Sequence, residues 1–237
     1  MRYLHAIQAH ERFLASGCYR FGKNGQTLAK TESWTMHAHS DGEKFVRVDM
    51  DARQEEGKSI LAEALLDFKG ALVRFDIRYE NDQFKGGIKR LRATYQRADE
   101  RLQIGYSLNG DERNYVEVAL PADALIDLPL LVFRGATIRA LAEKPAGLIS
   151  VYVPMIEHPQ LFPGILRQVT SPVERVGDDT VFIGKRAIQA SRFRYRDKAV
   201  SYWIDDHDLI VKRVNSYKQQ EMTVAISNYA APATKAL

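Results

Sequence analysis

Cysteine is almost missing from this chain: Cys18 is the single one among 237 residues. That excludes an intrachain disulfide framework and any multi-cysteine zinc or iron–sulfur site. Long hydrophobic runs are missing too. The longest, about residues 147–156, is well short of the ~18 to 20 residues a membrane helix needs, so no membrane span is expected. Residues 1–12 lack the continuous apolar core of a secretory signal. The expected compartment is therefore the cytoplasm, or the periplasm if a leader was removed. Charge of one sign is scarce as well, since 34 Lys plus Arg stand against 30 Asp plus Glu, a net charge of +4 with no basic or acidic tail. Nucleic acid is not an expected partner.

The familiar catalytic motifs are absent. No G-x-G-x-x-G follows a strand, and Gly177 to Gly184 and Lys185 have the wrong spacing for a phosphate loop. There is no H-E-x-x-H and no G-x-S-x-G. These gaps argue against an NTPase, a nicotinamide enzyme of the usual fold, a zincin and an α/β-hydrolase. No cofactor is implied and no metal site is assigned.

What the sequence does hold is 45% apolar residues, enough for a packed core and too many for a disordered chain. Their arrangement is mostly alternating. Trp34, Met36 and Ala38 fall on one face of a strand and Thr35, His37 and His39 on the other, before an Asp41-Gly42 turn. Residues 43–53 alternate again, with Val46, Val48 and Met50 opposite Arg47, Asp49 and Asp51. Residues 71–80 are the clearest strand, with Val73, Phe75, Ile77 and Tyr79 in phase. Residues 59–69 fit either helix or strand. Residues 1–15 space Tyr3, Leu4, Ile7, Phe13 and Leu14 loosely, which predicts a short N-terminal helix. A second helix is predicted from Pro129 to about Glu143, stopped by Pro145 and Gly147. A buried strand is expected over 147–155, an irregular loop over 157–164, more meander to residue 229 and a frayed tail over 230–237.

The expected fold class is mainly β. About a dozen antiparallel strands form one meander, closed as a barrel or half-barrel around the helical insert at about 129–143. The lack of βαβ alternation argues against a nucleotide-binding doubly wound fold. One domain over 1–237 is the economical division, and the oligomeric state is left open.

Three groups of residues carry chemistry. His37 and His39 share a strand face, a geometry that could hold a metal or pair a general base with a hydrogen-bonding partner; a third metal ligand would come from His158, Glu117 or an acid of another strand. Arg74 with Arg78, Arg90 with Arg92, and Arg192 with Arg194 and Arg196 form same-face sets that would grip an anion if they faced a cavity. Aromatic rings, among them Trp34, Tyr79 and Trp203, are candidates for lining an apolar pocket. The leading expectation is a small-molecule ligand, apolar or aromatic, with or without an anionic group, bound in a barrel cavity by Trp34, Arg74, Tyr79, Arg90, Arg92 and Trp203. The alternative is a cofactor-independent lyase, isomerase or hydrolase in which His37 or His39 acts as base and arginine stabilises the developing anion.

The C-terminal third runs Val176, Gly177, Asp178, Asp179, Thr180 and Val181, then Arg192, Phe193, Arg194 and Tyr195, then Tyr202, Trp203, Ile204 and Asp205, and closes on Ile226, Ser227, Asn228 and Tyr229. With Gly17, Cys18 and Tyr19 and with Glu32, Ser33 and Trp34, it resembles bacterial curved-sheet proteins related in shape to the lipoprotein carrier LolA and to periplasmic β proteins. The resemblance covers about half the chain. It implies a curved antiparallel sheet that grips an apolar or amphipathic ligand, and it carries no catalytic residue across.

Overall fold

The structure is a computed structural model and describes residues 1–39, 41–83, 89–121, 124–143, 148–150, 165–167, 173–195, 197–217 and 220–230. Eight strands come first: β1 (Arg12–Lys23), β2 (Gln26–Ala38), β3 (Lys44–Ala52), β4 (Lys58–Leu66), β5 (Leu72–Asn81), β6 (Arg90–Ala98), β7 (Arg101–Leu108) and β8 (Asn114–Ala119). A short helix, α1 (Arg53–Glu56), links β3 to β4. Next come β9 (Leu125–Asp127), the helix α2 (Leu131–Glu143), β10 (Leu148–Ser150) and β11 (Ile165–Arg167). Five strands follow: β12 (Val173–Ile183), β13 (Arg186–Tyr195), β14 (Asp197–Ile204), β15 (Ile210–Tyr217) and β16 (Gln220–Ala230).

Thirteen strands make one antiparallel sheet in the order β12-β13-β14-β15-β16-β1-β2-β3-β4-β5-β6-β7-β8, and β9, β10 and β11 form a separate three-stranded sheet. The last strand pairs with the first, Tyr19 opposite Ile226 and Phe21 opposite Val224. The meander thus runs outward in both directions from a centre formed by its first and last strands. Its hairpins are sharp where the sequence supplies positive φ: Asn24 at 49° and Gly25 at 80° join β1 to β2.

Period-two alternation separates the two faces. One inner row crosses the sheet as Trp34, Val48, Ala62, Ile77 and Ala93, and a second as Met36, Val46, Ala64, Phe75 and Tyr95. All but Met36 are buried. Ala62, Ala64 and Ala93 are small buried side chains on this face, and α2 reaches it through Phe133 on Phe75. Residues 59–69, which fitted either helix or strand, are strand over Lys58–Leu66 because this inner face needs their small side chains.

The helix is buried almost all round, with Leu131, Val132, Phe133, Gly135, Thr137, Ile138 and Leu141 inside. Phe133 meets Phe75 edge to face at 6.0 Å, and Gly135 lies against the backbone of Asp208 in the turn between β14 and β15. The sheet therefore curls around α2 and grips it from both ends of the strand order. The expected helix over 129–143 agrees with the observed one, and Pro129 sits just before its first turn.

The expected N-terminal helix over 1–15 is corrected. Residues 1–11 contain no helix, and β1 already begins at Arg12. This segment is a strap laid on the outer face of β3 and β4. Arg2 binds Asp49 through its backbone N at 2.7 Å and its Nη2 at 2.8 Å, and Glu11 binds Arg47 at 2.6 and 2.8 Å. A short amphipathic helix is marginal by itself, so contacts to distant strands decide its conformation. The expected strand beyond residue 150, the loop at 157–164, His158, Arg196 and the tail past residue 230 lie outside the described residues. No helix among the described residues is long and apolar enough to cross a membrane.

Candidate functional site

A groove of about 500 Å³ opens at the sheet rim where the β4–β5 and β14–β15 turns approach α2. Its walls are apolar: Val46 and Leu72 from the sheet, Leu125 and Leu128 before the helix, Val132 and Phe133 on it. Its edge is basic, with Lys44, Lys69 and Arg97 among the lining residues. None of these three cations takes an ion pair among the described residues; Lys69 rests its ammonium over the Phe68 ring at 5.4 Å. Arg139 also lines the groove, but it is committed to Asp208 and to the carbonyl of Asp205 at 2.7 Å. The acids present are Glu143 and Asp208. Apolar walls with a cationic edge match a molecule that has an apolar body and one anionic group.

Two buried acids hold this architecture. Glu32, on the inner face of β2 and 2% exposed, accepts the backbone N–H of Leu131 at 3.2 Å and of Val132 at 3.1 Å. It caps α2 from about a hundred residues away and places a carboxylate at the positive end of the helix. Burial pushes its carboxyl up to about 7, against the pull of those two N–H groups. Below 4.5 the group is protonated folded or unfolded; above 7 the folded chain must carry a buried charge that the unfolded chain solvates freely. Stability is therefore expected to fall as pH rises between those values, by about 3 kcal/mol from this group alone. Urea unfolding across that range would show the slope, and Glu32→Gln is expected to flatten it. Asp205, 3% exposed, accepts the N–H groups of His207 and Leu209 at 3.0 and 2.9 Å and the Tyr229 hydroxyl at 2.7 Å. It locks the turn against which Gly135 packs.

The residues singled out from sequence lie elsewhere, and none lines the groove. Trp34 (1% exposed) sits inside between Tyr19 and Tyr229, with ring centroids at 6.3 and 6.2 Å. Tyr79 is buried on the same face, its hydroxyl accepting from Asn81 at 2.9 Å. Trp203 donates from Nε1 to Asp179 at 2.6 Å, and the cations of Arg192 and Lys212 stand 5.0 and 4.9 Å from its ring. Arg74 is on the outer face and pairs with Asp76 at 2.7 Å. Arg90 and Arg92 are brought together, also outside, beside Arg78 and Glu80 in a shallow depression.

His37 and His39 share the outer face but take different partners. His37 is buried under Phe13, with Arg47 donating to its Nδ1 at 3.5 Å. Burial and the neighbouring Arg47 hold its pKa below the usual imidazole value, with Glu11 opposing. His39 Nδ1 lies 2.8 Å from Asp41, and the His10 ring meets it edge-on at 4.6 Å.

Sequence reasoning missed the groove cations and Glu32. Glu32 did leave a trace, an acid in phase with Trp34 and Met36 on an otherwise apolar face. Lys44, Lys69 and Arg97 left none, because each sits at a strand end or turn where charge is ordinary.

No family model matches the chain, and no curated protein matches it. Among solved structures it is similar to a beta-barrel-like protein of domain of unknown function DUF1849 from Brucella abortus. That match is 10% identical, covers 95% of this chain and 100% of the other, and has a TM-score of 0.54. A DUF1329 family protein from Desulfovibrio piger is matched over 96% of this chain and 89% of that one, 7% identical, at a TM-score of 0.19, too low to carry any argument. The likeness to the first is one of fold: the chain is a curved antiparallel sheet of the beta-barrel-like kind.

Proposed function

We propose that the chain is a binding protein for a small amphipathic anion, held in the groove between α2 and the sheet rim. The observation that carries this reading is the combination of apolar walls, Val46, Leu72 and Phe133, with Lys44, Lys69 and Arg97, cations that take no ion pair among the described residues. The groove volume, about 500 Å³, is within the ~300 to 1,000 Å³ typical of small-molecule sites. The apolar body would lie along α2 while the head group meets the cations near solvent, where each pairing is modest and salt-sensitive. Dansyl-undecanoate is a suitable probe. Fluorescence titration is expected to give one saturable site that weakens with salt, and an absence of saturable uptake would remove the proposal.

A cofactor-independent enzyme built on His37 and His39 has less support. His37 is 5% exposed beneath Phe13, and the depression that Arg90 and Arg92 line with Arg78 and Glu80 is lined by neither histidine among the described residues.

A further inference from the structure

The outer face carries a cluster that the groove does not use. One cross-strand row there reads Arg47, Glu63, Asp76 and Thr94 on β3 to β6. Glu63 and Asp76 stand directly opposite one another, an arrangement of like charges that is destabilising unless cations offset it. The strap lays His5 over them, its Nδ1 3.0 Å from Glu63 Oε1. One ligand atom each from His5, Glu63 and Asp76 lie within 4.8 Å of one another.

The carboxylates are held from behind. Arg47 Nε donates to Glu63 Oε2 at 2.7 Å, Thr94 Oγ1 donates to Asp76 Oδ1 at 2.8 Å, and Arg74 Nε pairs with Asp76 Oδ2 at 2.7 Å. Their side chains are 9% and 14% exposed, so they keep their orientation. Outer contacts of this kind are what orient carboxylates in metal sites. On the open side is a depression of about 520 Å³ lined by His5, Asp76, Thr94, Ser107 and Asp111 and also by Arg78, Arg92 and Arg113, through which water reaches the carboxylates.

We propose that His5, Glu63 and Asp76 bind one divalent transition cation of the zinc type, and that the ion fastens the N-terminal strap to the sheet. An imidazole with two carboxylates suits zinc or manganese better than calcium, which takes oxygen ligands. Zinc bonds of ~2.0 to 2.2 Å put neighbouring ligands about 3.3 Å apart, so ligand atoms that lie within 4.8 Å of one another must close by up to about 1.5 Å. His5, already 3.0 Å from Glu63, is free to adjust towards Asp76, since its side chain is 57% exposed on a segment without helix or strand. The fourth position is left to water from the depression. Arg47 and Arg74 already neutralise part of the acid charge, which limits the affinity and makes the strap's attachment responsive to metal supply.

A second cluster, His39, Asp41 and Glu43, provides the comparison. It is confined to one hairpin turn, where Asp41 already binds His39 and the backbone N of Glu43. The test is isothermal titration of the full chain, stripped with a chelator, with zinc and with manganese, together with hydrogen exchange over residues 1–11. The expected result is one zinc per chain and slower exchange in the strap. His5→Gln is expected to weaken binding at least ~10-fold and abolish the protection, with Asp76→Asn doing the same and Asp41→Asn leaving both unchanged. His5 is exposed, so its variant decides the question even if Asp76→Asn fails to fold. Absence of saturable one-to-one binding, or binding that survives His5→Gln or is lost in Asp41→Asn, overturns the proposal.

Discussion

Gly135→Ala is expected to destabilise the protein by about 3 kcal/mol, which for a chain this size lowers the thermal midpoint by roughly 6 to 12 °C. Alanine ordinarily favours a helix over glycine by about 1 kcal/mol, so the sign is reversed from what the helix alone would give. The cause is contact. A Cβ at position 135 would overlap the carbonyl oxygen of Asp208 and approach its carbonyl carbon to 2.8 Å, backbone atoms that cannot rotate aside. Asp205 fixes that turn through His207, Leu209 and Tyr229, so α2 must yield instead. Displacing it pulls Leu131 and Val132 away from the Glu32 carboxylate and opens the contact between Phe133 and Phe75. Thermal unfolding followed by circular dichroism measures the shift. A variant as stable as the wild type would mean that α2 is not wedged between sheet and turn.

The second large effect concerns the groove. Reversing its edge charges with Lys44→Glu, Lys69→Glu and Arg97→Glu together is expected to weaken dansyl-undecanoate binding at least ~30-fold, and to leave the neutral dansyl amide of the same length within ~3-fold. Lys44 and Lys69 are exposed and none of the three has an ion-pair partner among the described residues, so folding should survive the change. Ala136→Trp complements this. Ala136 lies on the exposed side of α2 and lines the groove, so a tryptophan there fills the cavity without entering the core. Both probes are expected to lose binding in that variant. If the charge reversal weakens the two probes equally, the cations contribute nothing specific to the head group.

The sheet was legible in the sequence wherever one face meets the core and the other does not. Trp34 and Met36 on β2, Val46, Val48 and Met50 on β3, and Phe75, Ile77 and Tyr79 on β5 all fall on the inner face in the expected phase. Pro129 and the apolar run after it placed α2. The strap was misread because its conformation is set by Asp49, Glu63 and Arg47, which are 36 to 58 residues away. Which face would be concave was also beyond the pattern, since alternation fixes two faces and leaves their curvature undetermined. The inner face is marked by α2, through Phe133 on Phe75 and Gly135 on the β14–β15 turn, contacts between residues far apart in the chain. Once that is known, the histidines and arginines fall outside, and the interior belongs to the aromatic rings and the helix.

The proposed ligand is an apolar anion held between α2 and the sheet rim. Crystals of the protein grown with 12-bromododecanoate test it directly through the anomalous signal of bromine. The account predicts one bromine peak among Val46, Leu72 and Phe133, with the carboxylate directed to Lys69 and Arg97. A peak on the outer face, or at Trp203, with the groove free of ligand density would contradict it.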